Sequence, residues 1–337
     1  MRNTFLRLLI LLISAVCLLS SCTNDSIIHI EGKFKGLKQG QFYAYSYSPE
    51  WDAFDTIQVT NGKFSFSKET SDTTIIILQY PNFMETMVVG IPGKTINLKG
   101  DARDLNRINI SGSEENELLS DFQKEVFKKS EAVRRLKAEN FIKKHPDSYA
   151  SLVVFQKYFL DVKELDGEKI ESLLNLMIKK APERTQLLAL NAQLKPFMQC
   201  RPGKKTPAFK ATTMNKETIS NDTFKSKLTL ISFWATWGRD YVRPIAIASK
   251  TIRSNKGKIS VLNICLDTDT IGFRSSIARD SIEGDIVCDM KSWESPLVKI
   301  FGVRYLPTNI LVDKTGIIIA RDIKEEDIID TLKKYIK

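Results

Sequence analysis

A nearly continuous apolar segment in the second half of the chain, Leu228–Trp234, most constrains how this sequence folds. A strand has this composition when helices cover both faces of its sheet, as they do in parallel sheets. Strand and helix patterns then alternate: a helix to about residue 254, a strand over 259–266, a helix over 271–278, a short strand over 285–288, a helix over 295–301, a hairpin over 309–319 and a closing helix over 325–335. This alternation predicts an α/β domain over residues 201–337.

The regions before this domain have different periodicities. From residue 27 to about residue 107 the pattern is that of strands, and Asn61-Gly62 lies between two of them. That dipeptide favours a hairpin, because both central turn positions need a positive φ. From about residue 113 the apolar residues recur at helical spacing instead. We therefore predict an all-β N-terminal domain over 22–110, built as a small antiparallel sandwich or barrel-like sheet, and a helical connector over 111–200.

Residues 1–21 have the features of a secretory signal peptide. Arg2 and Arg7 precede an apolar run over 8–19, which is too short to span a bilayer. The run ends in Leu19-Ser20-Ser21-Cys22, which resembles the lipobox of bacterial lipoproteins. Acylation of Cys22 is therefore expected to anchor the mature chain to a membrane. The protein is predicted to face the periplasm in the cell envelope, on either the inner or the outer membrane.

The composition excludes several classes of function. The 337 residues include 50 basic and 40 acidic side chains, for a formal net charge of +10, but an envelope location argues against nucleic acid as a partner. Two histidines, His29 and His145, make a His-based metal site or a catalytic triad improbable, and five cysteines are too few for a disulfide scaffold of this size. We expect no cofactor and no bound metal, since the sequence has neither a phosphate-binding glycine loop nor a metal-ligand spacing.

Four segments of the C-terminal region resemble the thioredoxin-like fold, specifically the envelope thiol–disulfide oxidoreductases of the TlpA/ResA type and their peroxiredoxin-like relatives. They are the entry segment PGKKTPAF (202–209), the strand and turn LISFWATW (230–237), the loop GVRYLPT (302–308) and the hairpin over 309–316. The resemblance implies a thioredoxin-like domain with the family's cis-proline at Pro307. The β region and the lipobox also resemble the uncharacterised N-terminal domain that such lipoproteins often carry.

The catalytic motif of that family is absent. Where the family has Cys-x-x-Cys, this sequence has Gly238-Arg239-Asp240-Tyr241. Thiol–disulfide exchange needs a thiolate at the start of a helix and a second thiol one turn later. Glycine has no side chain and a tyrosine phenol forms no disulfide. We therefore assign no catalytic residue to this turn and predict a redox-inactive domain, a pseudoenzyme.

The residues around the lost motif are predicted to retain a binding role. In active relatives the cis-proline loop lies beside the active-site turn and presents backbone groups to an extended substrate. The candidate binding residues are Trp237, Gly238, Arg239, Asp240, Tyr241, Leu306 and Pro307. Aromatic and arginine side chains are typical of contact surfaces. The expected partner is a protein or peptide of the envelope.

Three further cysteines, Cys200, Cys265 and Cys288, lie in the mature chain beyond Cys22. The resemblance implies that the strands bearing Cys265 and Cys288 are neighbours, which makes these two a candidate redox pair. We expect free thiols, because sheet geometry rarely suits a disulfide and buried cysteines are common as small apolar side chains. Two alternatives stay open: a thiol–disulfide oxidoreductase or peroxiredoxin-like enzyme that uses non-motif cysteines, and a structural component of an envelope complex.

The lipobox generates a direct prediction about membrane attachment. Cys22→Ala is expected to release the protein from the membrane fraction or to leave an unprocessed precursor, because the acylated sulfur is the anchor. Fractionation and intact-mass measurement check this. Ser21→Ala keeps a small residue before the cysteine, so this control is expected to stay membrane-bound. A Cys22→Ala chain that is cleaved and still sediments with membranes would contradict lipid anchoring.

Overall fold

The computed structural model describes residues 26–336 except 49, 52, 226 and 256. The predicted signal peptide over 1–21 and the predicted acylation site Cys22 lie outside the described residues. Two compact units are present: the first runs to residue 165 and includes 173–187, and the second comprises 166–172 and the chain from residue 188 onward. The helices predicted as a connector over 111–200 are thus divided between the two units. None of the helices in the described ranges is long and apolar enough to cross a membrane.

One sheet dominates the N-terminal unit, which confirms the predicted all-β region. Its strands are β1 (Ile27–Lys35), β2 (Gln39–Tyr45), β3 (Asp55–Thr60), β4 (Lys63–Glu69), β5 (Thr74–Gln79), β6 (Glu85–Gly90), β7 (Thr95–Asp101) and β8 (Asn109–Ser111). Their order in the sheet is β6-β5-β2-β3-β4-β1-β7-β8. The predicted hairpin connects β3 to β4, where Asn61 and Gly62 have φ of 53° and 72°. A Cβ at Gly62 would lie only 2.5 Å from the Phe34 carbonyl oxygen, so this turn requires glycine.

We predicted a wholly antiparallel sheet, and this prediction is wrong in one place: β1 and β7 run parallel. The turn before β7 explains the difference. The Gly93 N–H donates to the Ile27 carbonyl at 2.9 Å, and the His29 N–H donates to the Lys94 carbonyl at 3.0 Å. These two hydrogen bonds hold the starts of both strands side by side. The strands must then leave in the same direction.

Helices follow the sheet along the chain. They are α1 (Glu114–Val126), α2 (Glu131–Lys144), α3 (Tyr149–Phe155), α4 (Gly167–Lys180) and α5 (Thr185–Gln199). A π-helical segment, Gln156–Leu160, continues α3. The start of α1 is capped by the Ser113 hydroxyl, which accepts a hydrogen bond from the Asn116 N–H.

The side chain of Asn116 closes one edge of the sheet. Its Oδ1 accepts a hydrogen bond from the Val89 N–H at 2.9 Å, and its Nδ2 donates to the Val89 carbonyl at 2.7 Å. Val89 lies on β6, which is an edge strand, and Asn116 is fully buried. The amide therefore replaces a neighbouring strand for one residue and satisfies two buried backbone groups.

Removal of this amide tests its contribution to stability. We expect Asn116→Ala to lower the free energy of unfolding by about 2–4 kcal/mol, because two buried backbone groups lose their partners. Equilibrium urea unfolding measures the change. Asn140→Ala, at an exposed position of α2, is the matched control and is expected to change stability by no more than about 0.5 kcal/mol. Equal effects of the two substitutions would contradict the proposed role of Asn116.

The C-terminal unit is the predicted α/β domain. Its strands are β9 (Lys210–Thr212), β10 (Thr218–Ser220), β11 (Leu228–Trp234), β12 (Ile259–Cys265), β13 (Asp285–Val287), β14 (Thr308–Val312) and β15 (Ile318–Arg321). Five of them form a sheet in the order β13-β12-β11-β14-β15, and β9 pairs with β10. The neighbours β11, β12 and β13 are parallel to one another. Strand β14 is antiparallel to β11, and β15 is antiparallel to β14. The helices are α6 (Arg239–Ser254), α7 (Thr270–Asp280), α8 (Pro296–Ile300) and α9 (Ile328–Tyr335).

Every residue of β11 is buried, which confirms that this strand is covered on both faces. Because side chains alternate along a strand, Ile231 and Phe233 contribute to the core that includes residues of α8. Leu230 and Trp234 contribute to the opposite core, which includes residues of α6, α7 and α9. The central strand therefore ends between two packed layers, and its last residue is followed directly by the candidate site.

Candidate functional site at the end of the central strand

The turn between β11 and α6 forms the centre of the candidate site. Gly238 is the residue before the helix and Arg239 is its first residue. Asp240 lies exposed in the first helical turn, and Tyr241 follows it, partly buried. The N-terminus of α6 thus provides backbone N–H groups and a positive dipole end, which is where a catalytic thiolate would be stabilised. No sulfur atom is present at positions 238–241.

The Tyr241 ring occupies the space that a side chain at position 238 would need. A Cβ built on Gly238 would lie 2.3 and 2.4 Å from two carbons of this ring, which is closer than real Cβ contacts. The φ of Gly238 is −134°, which any residue adopts, so the backbone itself does not demand glycine. The glycine and the tyrosine are therefore complementary: one has no side chain where the other places its ring.

Trp237 packs against this tyrosine and remains exposed. The two rings meet edge to face, with centroids 5.1 Å apart and an interplanar angle of 82°. Trp237 is 55% exposed, whereas Trp234, three residues earlier, is fully buried. An indole held at one edge and open on its other side is a suitable contact surface for another molecule.

The loop before β14 lies beside this turn. The register pairs Phe233 with Thr308, and its continuation places Ala235 opposite Leu306. Ala235 and Leu306 belong to one buried cluster, and Tyr241 packs against that same cluster. The Leu306–Pro307 peptide bond is cis. The structure thus brings the two predicted segments, 237–241 and 306–307, together.

The backbone of Leu306 is not used by the fold. Across the described residues, neither its N–H nor its carbonyl takes part in a hydrogen bond within the chain. By contrast, the neighbouring Tyr305 carbonyl accepts a bond from the Thr308 hydroxyl at 2.9 Å. Backbone groups without internal partners are available to a second polypeptide in an extended conformation.

Sequence reasoning missed Asp267, the buried carboxylate of the site. It is 3% exposed, and it accepts a hydrogen bond from the Thr236 N–H at 2.9 Å and from the Cys265 thiol at 3.3 Å. An acidic residue two positions after the apolar strand β12 was a usable signal, because polar residues at the ends of parallel strands often line sites. Asp267 fixes the first residues of the turn that carries Trp237.

The three cysteines of the described chain are free thiols. Cys200 is buried away from the turn, where it donates to the Ile300 carbonyl at 3.6 Å, and burial raises its pKa to about 11. Cys265 and Cys288 instead lie together at the same end of the sheet as the candidate site. Within the described ranges, no group of three or more His, Cys, Asp or Glu side chains is arranged to hold a metal ion.

Comparisons with known proteins give a consistent result for the C-terminal unit. The proteins named thiol-disulfide oxidoreductase ResA of Bacillus thuringiensis subsp. konkukian and of Bacillus cereus are each 27% identical over 136 residues, which is 40% of this chain and 76% of theirs. A solved C-terminal domain of a protein described as a thiol-disulfide oxidoreductase from Bacteroides thetaiotaomicron is 27% identical, with a TM-score of 0.38, and the match covers 41% of this chain and 97% of that one. A thiol-disulfide oxidoreductase structure from Bacteroides fragilis is 31% identical, with a TM-score of 0.36, and the match covers 39% and 98% of the two chains.

The C-terminal unit is a thioredoxin-like domain, as its strand order and its cis-proline loop indicate. The ResA matches support the predicted resemblance of this domain to the TlpA/ResA type. In the N-terminal unit, residues 28–119 match a family described as a domain of unknown function, DUF4369. This match extends over the eight strands of the sheet, apart from the first residue of β1, and into α1, where Asn116 contacts the sheet.

The complementarity of Gly238 and Tyr241 generates a testable coupling. Gly238→Cys alone is expected to lower the free energy of unfolding by about 1–3 kcal/mol, because the new side chain displaces the Tyr241 ring. In the Tyr241→Cys background the same change is expected to be better tolerated, with a coupling energy of about 1 kcal/mol. Urea unfolding of the native chain, both single variants and the double variant measures this coupling.

The double variant also restores the dithiol to its place at the helix N-terminus. We expect it to accelerate the reduction of insulin disulfides by dithiothreitol relative to the native chain and to both single variants. All four proteins retain Cys200, Cys265 and Cys288, so a difference in rate reports on positions 238 and 241. The steric complementarity of positions 238 and 241 would be contradicted if the effects of the two substitutions on the free energy of unfolding were additive and the double variant did not raise the rate of insulin reduction.

Proposed function

We propose that this protein is a lipid-anchored envelope protein whose thioredoxin-like domain binds an extended segment of a protein or peptide partner. We further propose that the turn over 238–241 catalyses no thiol–disulfide exchange. The observation that carries both statements is the position of Tyr241, whose ring fills the volume of a side chain at 238. The same ring packs edge to face against the exposed indole of Trp237.

The binding role is supported by backbone groups of the cis-proline loop that have no hydrogen-bond partner among the described residues. The Leu306 backbone has a donor and an acceptor without partners among the described residues, and it lies opposite Ala235 at the end of the sheet. An extended peptide can pair with such groups as an added strand does. Trp237 then supplies apolar contact area at one side, and aromatic anchors of this kind dominate the energetics of many interfaces.

The loss of chemistry at the turn is supported by charge as well as by the missing sulfur atoms. A helix N-terminus stabilises an anion through its free N–H groups and its dipole. In this chain the first turn of α6 already carries a carboxylate, Asp240. A helix start that carries this acidic side chain and no thiol offers no nucleophile for disulfide exchange.

The envelope location rests on the sequence of the N-terminus. The short apolar run and Leu19-Ser20-Ser21-Cys22 support secretion followed by acylation. An anchored domain with an exposed peptide-binding surface has access to partners in the same compartment. The N-terminal unit is then a second module of the same lipoprotein.

Peptide binding can be tested without a known partner. A displayed library of random twelve-residue peptides is selected on the purified native protein, and an enriched peptide is synthesised. We expect Trp237→Ala to weaken the binding of this peptide by about tenfold or more, because the indole is the exposed anchor of the site. Isothermal titration calorimetry gives the dissociation constants.

Phe83→Ala is the matched control for this experiment. Phe83 is an exposed aromatic residue of the N-terminal unit, 83% accessible to solvent. Its removal is expected to leave the affinity for the selected peptide unchanged. The proposal is wrong if no peptide is enriched, or if the selected peptide binds native protein and Trp237→Ala with the same affinity.

A further inference from the structure

The strand register places two cysteines opposite one another at the edge of the candidate site. Strands β12 and β13 are parallel, and Ile264 pairs with Val287 as the last pair of their ladder. The next residues along the chain are Cys265, the last residue of β12, and Cys288, which directly follows β13. Neighbouring strands lie about 5 Å apart, and this spacing falls within the Cα separations of roughly 4.4–6.8 Å that disulfides accept.

The side chains of this pair also lie on one face of the sheet. Ile264 and Val287 both belong to the core on the α8 side, so the alternation of side chains directs the next residues to the other face. Cys265 is part of the core on that face, and Cys288 packs against it. The strand β13 ends at Val287, so Cys288 lies just beyond the last residue pair of the β12–β13 ladder. A regular sheet restricts disulfides between parallel neighbours, and the end of a strand relieves this restriction.

The two cysteines differ in exposure and share a carboxylate. Cys265 is buried, 2% exposed, whereas Cys288 is partly accessible. The Cys265 thiol donates to Oδ2 of Asp267 at 3.3 Å, and the Cys288 thiol donates to the backbone carbonyl of the same residue at 3.5 Å. This arrangement has one thiol on a partly exposed residue, one thiol on a buried residue and a carboxylate beside the buried one.

We propose that Cys265 and Cys288 form a redox-active dithiol that undergoes thiol–disulfide exchange with a disulfide bond of a partner. Cys288 is the attacking sulfur and Cys265 is the resolving sulfur. The site replaces the missing motif at the end of the neighbouring strands. The inference goes beyond the proposed peptide binding and uses different atoms.

The exchange balances in two steps. The Cys288 thiolate attacks one sulfur of the partner disulfide, which forms a mixed disulfide and expels the partner's other sulfur as a thiolate. The Cys265 thiol then gives its proton to the Asp267 carboxylate and attacks Cys288, which expels the first partner sulfur and closes the Cys265–Cys288 disulfide. Two electrons pass to the partner, whose sulfurs take up the two protons. A second dithiol must reduce the pair again.

The electrostatics agree with these roles. The interaction with the neighbouring Cys265 thiol lowers the pKa of Cys288 below its ordinary value, and the same interaction together with burial raises the pKa of Cys265. The thiol of the partly exposed residue, Cys288, is therefore the one more readily ionised. Cys200, with its pKa raised to about 11 by burial, is the chain's internal reference for an unreactive thiol.

A glutathione titration of the native full-length protein tests the pair directly. The protein, extracted in detergent, is equilibrated with buffers of graded ratios of reduced to oxidised glutathione, then alkylated and digested with trypsin. Cys265 and Cys288 fall in separate peptides, 259–274 and 280–291. We expect a linked form of these peptides to change from the minor to the major species as the buffer becomes oxidising, and to disappear when the ratio is reversed.

Single substitutions then separate the two roles. In Cys265→Ser, Cys288 is expected to accumulate as a mixed disulfide with glutathione, whereas in Cys288→Ser the Cys265 peptide stays unmodified. Cys288 is expected to alkylate at neutral pH roughly ten times faster than Cys200, or more. Cys200→Ser is the control, and it is expected to leave the formation of the linked peptide unchanged. Tryptophan fluorescence confirms that each variant is folded.

The titration of the native chain decides the proposal whether or not the variants fold. Complete separate alkylation of Cys265 and Cys288 at every ratio, including the most oxidising, would overturn it. A linked pair that forms while Cys265→Ser yields no mixed disulfide would overturn the assigned direction of attack. Neither outcome depends on peptide binding, which is measured on the reduced chain through Trp237.

Discussion

The buried carboxylate of Asp267 is the interaction on which this end of the C-terminal unit depends. Burying a carboxylate is costly unless hydrogen bonds compensate for the lost water. Here the partners of the carboxylate come from the ends of two strands: the Thr236 N–H after β11 and the Cys265 thiol at the end of β12. The backbone carbonyl of Asp267 binds a third, the Cys288 thiol after β13. One residue thus fixes the turn that carries Trp237 and the environment of both thiols.

Parallel topology explains why these groups meet. The carboxyl ends of the parallel strands β11, β12 and β13 all lie at the same end of the sheet, and the polar residues that follow each strand converge there. The antiparallel strand β14 begins at that end, so the Leu306–Pro307 loop joins the same site. Four segments that are distant in sequence therefore share one end. The positions come from the fold, and the chemistry at each position comes from the side chain that occupies it.

Much of this architecture could be predicted from the sequence, because its signals are local. The Asn61-Gly62 hairpin and the fully buried strand β11 follow from turn chemistry and from an apolar run, and the cis bond at Pro307 follows from a family resemblance. The parallel pairing of β1 with β7 could not be predicted, since it depends on hydrogen bonds of Gly93 and Lys94 that leave no periodic pattern. The partnership of Gly238 with Tyr241 was also missed. A missing sulfur can be identified in the sequence, whereas the position of a ring can be identified only in the packed structure.

The packing of Tyr241 separates two properties that are combined in a redox-active thioredoxin-like domain. At the turn, the ring occupies the space that a side chain at position 238 would need, and the role proposed there is binding without exchange. One strand further along the edge, the register brings Cys265 beside Cys288, and Asp267 links this pair to the turn through Thr236. A covalent bond between the two sulfurs would change what surrounds Asp267, whose carboxylate would no longer receive the Cys265 proton. Because that carboxylate also accepts a hydrogen bond from the Thr236 N–H, oxidation of the proposed pair would alter the surroundings of a residue that contacts the turn carrying Trp237.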